Sequence, residues 1–253
     1  MPELAGQHAL VTGGGRGIGR AIAALLSANG AAVTVLGRQE ASLRDAVSAG
    51  HAQAYVIADV TDERAVTDAI AGAARKSGPI HILIANAGGA ASAPFAKTST
   101  AQFQQMLDLN LMGAVHAMHA VLGDMVARRS GRIVAIASTA GMKGYPYVTA
   151  YCAAKHAVVG LVRALAKETV KTGVTVNAIC PGYTDTDLVR DSVAATAKKT
   201  GRPAATIAAE MLKDEPLGRL ITPDEVAAAA LFLCSPNASA ITGATLAVAG
   251  GEI

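Results

Sequence analysis

The sequence contains no tryptophan, and its five tyrosines and three phenylalanines amount to only 3% of 253 residues. Single-strand nucleic-acid binders stack bases on aromatic rings along a basic groove, and rings are scarce here. So are clustered cations. Lys and Arg number 22 against 19 Asp and Glu, leaving +3 at pH 7, and no cationic run exceeds a pair such as Arg128-Arg129 or Lys198-Lys199. Counterion-release binding needs several clustered cations, so nucleic acid is excluded as a partner. The only three cysteines, Cys152, Cys180 and Cys234, lie far apart with no CxxC spacing. They form neither a disulfide framework nor a zinc site and read as reduced thiols of a cytoplasmic protein. Long apolar runs are missing too: stretches such as 80–85 are far too short to cross a bilayer, so no membrane association is expected. Met1-Pro2-Glu3-Leu4 shows neither a basic nor an apolar leader segment, so export is not expected.

What the chain does have is apolar bulk. Hydrophobic residues make up 51% and charged residues 16%, which excludes disorder as the main state and permits a large core. Short β-rich runs at 8–12, 32–36, 53–58, 80–85, 132–137, 174–179 and 245–249 alternate with helix-length segments. The helical segments fall at 17–29, 40–49, 62–77, 100–129, 150–172 and 223–234. Strands apolar on both faces and separated by helices predict a parallel sheet covered on both sides. With right-handed crossovers the expectation is one α/β domain, a Rossmann-like doubly wound parallel sheet of about seven strands with helices on both faces. Segment 184–216 breaks the alternation. It is polar, rich in Ala and Thr, and too long for an ordinary connection. One or two short helices forming a substrate lid over the carboxyl edge of the sheet are expected there.

Residues 12–19 read Thr-Gly-Gly-Gly-Arg-Gly-Ile-Gly between the first strand and the first helix. Glycines at Gly13, Gly17 and Gly19 let the backbone turn tightly and let a pyrophosphate approach the free N–H groups of the helix N-terminus. A plain strand-to-helix turn needs far fewer glycines. At the end of the second strand, NAD-binding folds place a carboxylate for the ribose hydroxyl, and NADP-binding ones an arginine. Here Gly37 removes the carboxylate and Arg38 supplies a cation, which Arg16 joins. Glu40 is better placed to open the second helix, where acids favour the dipole. NADP(H) is therefore favoured, with NAD(H) as the alternative cofactor.

Tyr151 and Lys155 stand at i and i+4, neighbours on one helix face. A free phenol has a pKa near 10; an adjacent ammonium favours the phenolate, and a shift of about two units corresponds to about 2.7 kcal/mol. Such a tyrosine exchanges a proton with a carbonyl oxygen while hydride moves at carbon. Ser138 ends the fifth strand at the same edge and is placed to hydrogen-bond the substrate oxygen. His116 and His119 share a helix, but two ligands fall short of a metal site, and no metal is expected.

Taken in order, Thr12-Gly13-(x)3-Gly17-x-Gly19, Asn86-Ala87-Gly88, Asn110, Ser138, Tyr151-x-x-x-Lys155 and Pro181-Gly182 resemble the short-chain dehydrogenase/reductase family from Leu4 to Gly251. The resemblance implies Tyr151 as acid/base, Lys155 on the nicotinamide ribose, Ser138 on the carbonyl and Asn110 supporting a water in a proton relay. It implies a cofactor lining of Gly13, Arg16, Gly17, Ile18, Gly19, Asp59, Val60, Asn86, Ala87, Gly88, Tyr151, Lys155, Pro181, Gly182 and Thr184, with Asp59 facing the adenine. It also implies a homotetramer built on the two long helical segments. Two departures are Ala85-Asn86, where the family often has Asn-Asn, and Ala249 in place of a common aspartate.

Stretches 138–144 and 156–160 resemble branches acting on 3-oxoacyl thioesters and polyketide ketones, so the expected substrate is a small molecule or acyl thioester on CoA or a carrier protein. Tyr145, Tyr147 and Tyr183, together with Ser138 and Tyr151, are candidates for the substrate wall, although ordinary loop packing explains the first three equally. Lys143, Lys198, Lys199 and Arg202 either meet the phosphates of a carrier arm or are solvated surface charge. Two alternatives stand beside this reading: an NAD-linked dehydrogenase of another small, carbocyclic or aromatic alcohol, and a cofactor-sensing protein without catalysis. All four residues of the proposed proton chemistry are present, which weighs against the last.

Overall fold

Val, Ile, Leu and Ala dominate both faces of the strands, which is the composition of a sheet buried on two sides. The computed structural model describes residues 3–213 and 215–253. Seven strands, β1 (His8–Thr12), β2 (Ala32–Gly37), β3 (Ala54–Ile57), β4 (Ile82–Ala85), β5 (Gly131–Ile136), β6 (Val174–Pro181) and β7 (Thr245–Val248), form one sheet in the order β3-β2-β1-β4-β5-β6-β7. Every pairing is parallel. The expected doubly wound α/β architecture is therefore the one observed.

Alternate residues of each strand feed two separate cores. On β1 and β4, Ala9, Val11, Ile82 and Ile84 pack with Ile22, Leu43 and Val226. These belong to α1 (Gly17–Ala28), α2 (Glu40–Ser48) and α9 (Pro223–Cys234). Leu10, Leu83 and Ala85 face the other way, onto Val66, Met118 and Val158, carried by α3 (Glu63–Ser77), α5 (Gly113–Arg128) and α6 (Thr149–Thr169). The helices have local reasons to start where they do. Asp62 caps α3 by accepting from Ala65 N at 3.0 Å. Thr222 and Glu225 form a reciprocal capping box on α9, with Pro223 at its first position.

The segment 100–129, expected as one helix, is divided. α4 (Thr100–Leu107) and α5 are joined by a π-helical turn, Asp108–Met112. The cause is local: Asn110 Nδ2 donates to Met106 O at 3.0 Å, competing for the carbonyl that an α-helical Asn110 N–H would use. The segment 184–216 folds as α7 (Asp187–Thr200) and α8 (Ala204–Leu212), with position 214 outside the described residues. The leader-segment expectation rests partly on residues 1 and 2, which also lie outside them.

The chain winds outward through β1, β2 and β3, then returns to place β4 on the other side of β1. In such sheets the crevice at this reversal, beyond the carboxyl ends of the strands, is the ligand site. The far edge depends on one buried amide. Asn177, in the middle of β6 and fully buried, accepts from Ala244 N at 3.0 Å and donates to Ile241 O at 2.8 Å, holding the turn that delivers β7. Asn177→Leu is expected to orphan both groups and lower the unfolding free energy by about 2–4 kcal/mol, read by denaturant titration.

Candidate active site

The cleft at the strand reversal has a volume of about 850 Å³ and is lined from the glycine loop to the β6–α7 turn. Its nucleotide end begins at the β1–α1 loop. Arg16 precedes α1 with an extended backbone and no side-chain cap, so the first N–H groups of the helix lack a side-chain acceptor and point to an anion. Gly19 is required by closeness: a Cβ there would lie 2.4 Å from Gly13 O and 2.5 Å from Asn86 Nδ2. Thr12 ties this loop to the end of β4. Its Oγ1 accepts from Asn86 N and Ala87 N, both at 3.0 Å, and Asn86 Nδ2 returns a bond to Thr12 O at 2.9 Å.

Arg38 follows β2 with an exposed guanidinium that lines the cleft. Glu40 opens α2 and accepts from Arg44 and from Tyr55 OH, turned into its own cluster. An uncapped helix N-terminus, a glycine cradle and an arginine beyond Gly37 together fit a dinucleotide. Of the cofactor residues expected from the sequence, only Asp59 is not in the lining. Its Oδ1 accepts from Thr61 N and Oγ1, and Oδ2 lies 3.3 Å from Arg38. Burial raises this carboxyl, but the Thr61 bonds and the Arg38 charge outweigh it and hold it below the ordinary value. Asp59 thus fixes the Thr61 turn and pairs with Arg38, between the lining residues Ala58 and Val60.

At the other end, α6 presents Tyr151 and Lys155 to the cleft. Lys155 is 4% exposed, donates to Ile136 O at 2.8 Å, and has its ammonium 5.7 Å from the centre of the Tyr151 ring. Burial lowers its pKa to about 8. Burial pushes the Tyr151 phenol up to about 12, against a hydrogen bond with Ser138 that lowers it. The net shift of the tyrosine in the free protein is therefore upward. Desolvation disfavours phenolate and ammonium alike.

Asn110 is 2% exposed and its side chain is fully engaged. Oδ1 accepts from Gly89 N at 3.2 Å, while Nδ2 donates to Gly89 O and Met106 O, both at 3.0 Å. Its amide fixes the loop after β4, so the side chain acts as a brace. Ser138 follows β5 and caps the short turn Thr139–Gly141 by accepting from Ala140 N at 3.1 Å. His116 Nδ1 bonds Val60 O at 2.9 Å, a structural contact.

Tyr145, Tyr147 and Tyr183 all line the cleft. Tyr145 and Tyr183 meet edge to face at 6.1 Å between centroids. Tyr147 is exposed and holds a left-handed φ of 67°, while its carbonyl accepts from Ala93 N at 2.8 Å. Two lining residues carry no signal in the sequence. Thr186 lies against Gly17 from the β6–α7 loop. Glu252 reaches the cleft from beyond β7 and bonds Tyr145 and Lys143. No local pattern marks either, because each arrives by tertiary folding.

Residues 7–197 match the short chain dehydrogenase family. The chain belongs to that family. It is 38% identical to the D-beta-hydroxybutyrate dehydrogenase of Cupriavidus necator, with 99% of both chains covered. It is also 38% identical to the acetoacetyl-CoA reductase of Shinella zoogloeoides, over 96% of this chain and 97% of the relative. A solved structure of a variant of actinorhodin polyketide ketoreductase with NADPH superposes with a TM-score of 0.93 at 33% identity, covering 97% of each chain. The protein is accordingly an oxidoreductase of a family that binds NAD(P).

Lys155 gives the site a measurable pH signature. Its folded pKa lies below the ordinary 10.5. Between pH 8 and 10.5 the unfolded chain therefore holds a proton that the folded chain has released, and stability rises with pH across that window. In denaturant titrations from pH 7 to 10.5, wild type is expected to gain stability relative to Lys155→Met as pH rises. A difference that stays flat would show that the ammonium is not desolvated.

Proposed function

We propose that the protein interconverts a ketone and a secondary alcohol with NADP(H), and that the ketone is that of a 3-oxoacyl thioester on CoA or a carrier protein. The carrying observation is the group at the inner end of the cleft: the Tyr151 phenol, hydrogen-bonded with Ser138 and set beside the buried Lys155. The cofactor supplies hydride when bound. Tyr151 hands its proton to the carbonyl oxygen, Ser138 orients that oxygen, and Lys155 holds the tyrosine's face of the cleft and the nicotinamide ribose. With its pKa pushed up to about 12 by burial, Tyr151 is held as a phenol at neutral pH, the form that donates the proton when a carbonyl is reduced. Asn110 positions the loop after β4 rather than touching the reacting atoms.

The relatives named for acetoacetyl-CoA and the polyketide ketoreductase support the thioester. Arg38 and Arg16 at the nucleotide end support NADP(H). α7 and α8 serve as the substrate lid: α7 carries no buried residue, α8 buries only Ile207, and both contribute to the cleft wall. The reading extends to a cytoplasmic homotetramer packed through α4–α5 and α6, whose outer face leaves the small residues Ala153, Gly160 and Ala164 exposed.

A second reading, a small neutral ketone or alcohol with no carrier arm, is favoured by one observation. Of the four cations suited to a phosphate arm, Lys143 is paired with Glu252 and Arg202 with Glu210.

The test is oxidation of NADPH and NADH with acetoacetyl-CoA as acceptor. Tyr151→Phe is expected to fold and bind cofactor but to lose activity by about 10²–10⁴-fold; a wild-type rate would remove the tyrosine from the chemistry. Arg38→Asp is expected to lower kcat/KM for NADPH by about tenfold or more relative to NADH. Equal losses with both cofactors would contradict the NADP(H) assignment.

A further inference from the structure

Charge is segregated along the cleft. Arg16 and Arg38 line the nucleotide end. Beyond it the lining includes the carboxylates of Glu215 and Glu252, and of Glu210 paired with Arg202, with Lys143 and Lys155 as the only other lining cations among the described residues. Lys155 is engaged with Ile136 O. Lys143 is engaged as well: its ammonium lies 2.8 Å from Glu252 Oε1 and donates to Glu252 O at 3.3 Å.

Glu252 is an unusual residue to find there. It lies beyond β7, yet its side chain is only 3% exposed. Oε1 takes the Lys143 ammonium and the Tyr145 hydroxyl, while Oε2 is buried with no hydrogen-bond partner among the described residues. Tyr145 in turn lies 2.6 Å from Thr139 Oγ1, one residue from Ser138. Burying a carboxylate with one oxygen unbonded is costly, so its position calls for an explanation beyond fastening the chain. Burial first, and then the Glu252 and Glu215 charges, raise the nearby Tyr183 phenol, placing both carboxylates within electrostatic reach of the wall.

We infer that Glu252 is a specificity-determining residue: by neutralising Lys143 inside the substrate end, it denies a docking cation to ketones that carry a carboxylate and selects those whose head is an ester or thioester. This rests on the ketone-reducing site proposed above and specifies its substrate class. A free 3-oxo acid brings its carboxylate to a wall where Lys143 is already engaged by the buried Glu252 carboxylate, so it gains no free cation there. A thioester presents the same carbon skeleton without that charge. Removing the Glu252 charge exposes the Lys143 ammonium to the incoming anion.

The test compares acetoacetate with its uncharged N-acetylcysteamine thioester, in the full chain saturated with NADP⁺ for binding and with NADPH for turnover. Binding is measured by calorimetry for wild type, Glu252→Gln, Glu252→Asp and Lys143→Met. Glu252→Gln is expected to shift the thioester-over-acid preference toward the acid by about tenfold, which is about 1.4 kcal/mol. Lys143→Met, which leaves the carboxylate unbalanced, is expected to shift it the opposite way. Glu252→Asp, keeping the charge, is expected to stay on the wild-type side. A preference that is the same in wild type and Glu252→Gln overturns the inference, as does a failure of either compound to bind any variant. Binding with the expected shift but without Tyr151-dependent turnover sustains the charge selection and defeats the reductase reading, so the two failures are distinct.

Discussion

The cleft depends on the lashing between the ends of β1 and β4. In a parallel sheet these two strands part at their carboxyl ends, because the chain winds away from β1 in opposite directions. Thr12 bridges the gap with one hydroxyl, accepting from Asn86 N and Ala87 N, and the Asn86 amide reaches back to Thr12 O. The glycine loop, the α1 N-terminus and the Gly88-Gly89 turn all take their positions from this joint. Asn110 then fixes the turn from the other side by holding both polar groups of the Gly89 backbone. The π-helical widening between α4 and α5 follows from the same amide, since it also occupies Met106 O.

Desolvation organises the chemistry at the inner end. Tyr151 and Lys155 are both drawn toward their neutral forms in the free protein, one upward and the other downward. A pair poised in this way responds strongly to any charge brought beside it, because little solvent remains to screen it. Charge along the cleft is also placed unevenly, with Arg16 and Arg38 beside the glycine loop and Glu252 buried against Lys143.

The sheet was legible in the sequence because parallel strands buried on both faces are continuous apolar runs, and each of the seven lies within two residues of where the pattern put it. Ser138, Tyr151 and Lys155 were legible because spacing on one helix and position at a strand end decide where side chains point. Three things were not. The π turn at Asn110 depends on which way one amide turns, toward Met106 O and the Gly89 backbone, and no spacing shows that. The tie from Asp59 to Thr61 and Arg38 joins separate loops and follows no pattern in the sequence. Glu252 sits in no motif and enters the cleft only once the sheet has closed around β7. Nor does helix spacing show the depth of burial that raises the Tyr151 phenol in the free protein.

The contact between Glu252 and the loop at Lys143 and Tyr145 spans more than a hundred residues of chain. Such contacts close late, after the intervening loops have been ordered. A nascent chain on the ribosome can already expose the glycine loop and the Tyr151 helix while the wall at Lys143 still lacks its counter-ion. Until the segment after β7 has docked, the cleft wall at Lys143 presents an ammonium rather than an ion pair.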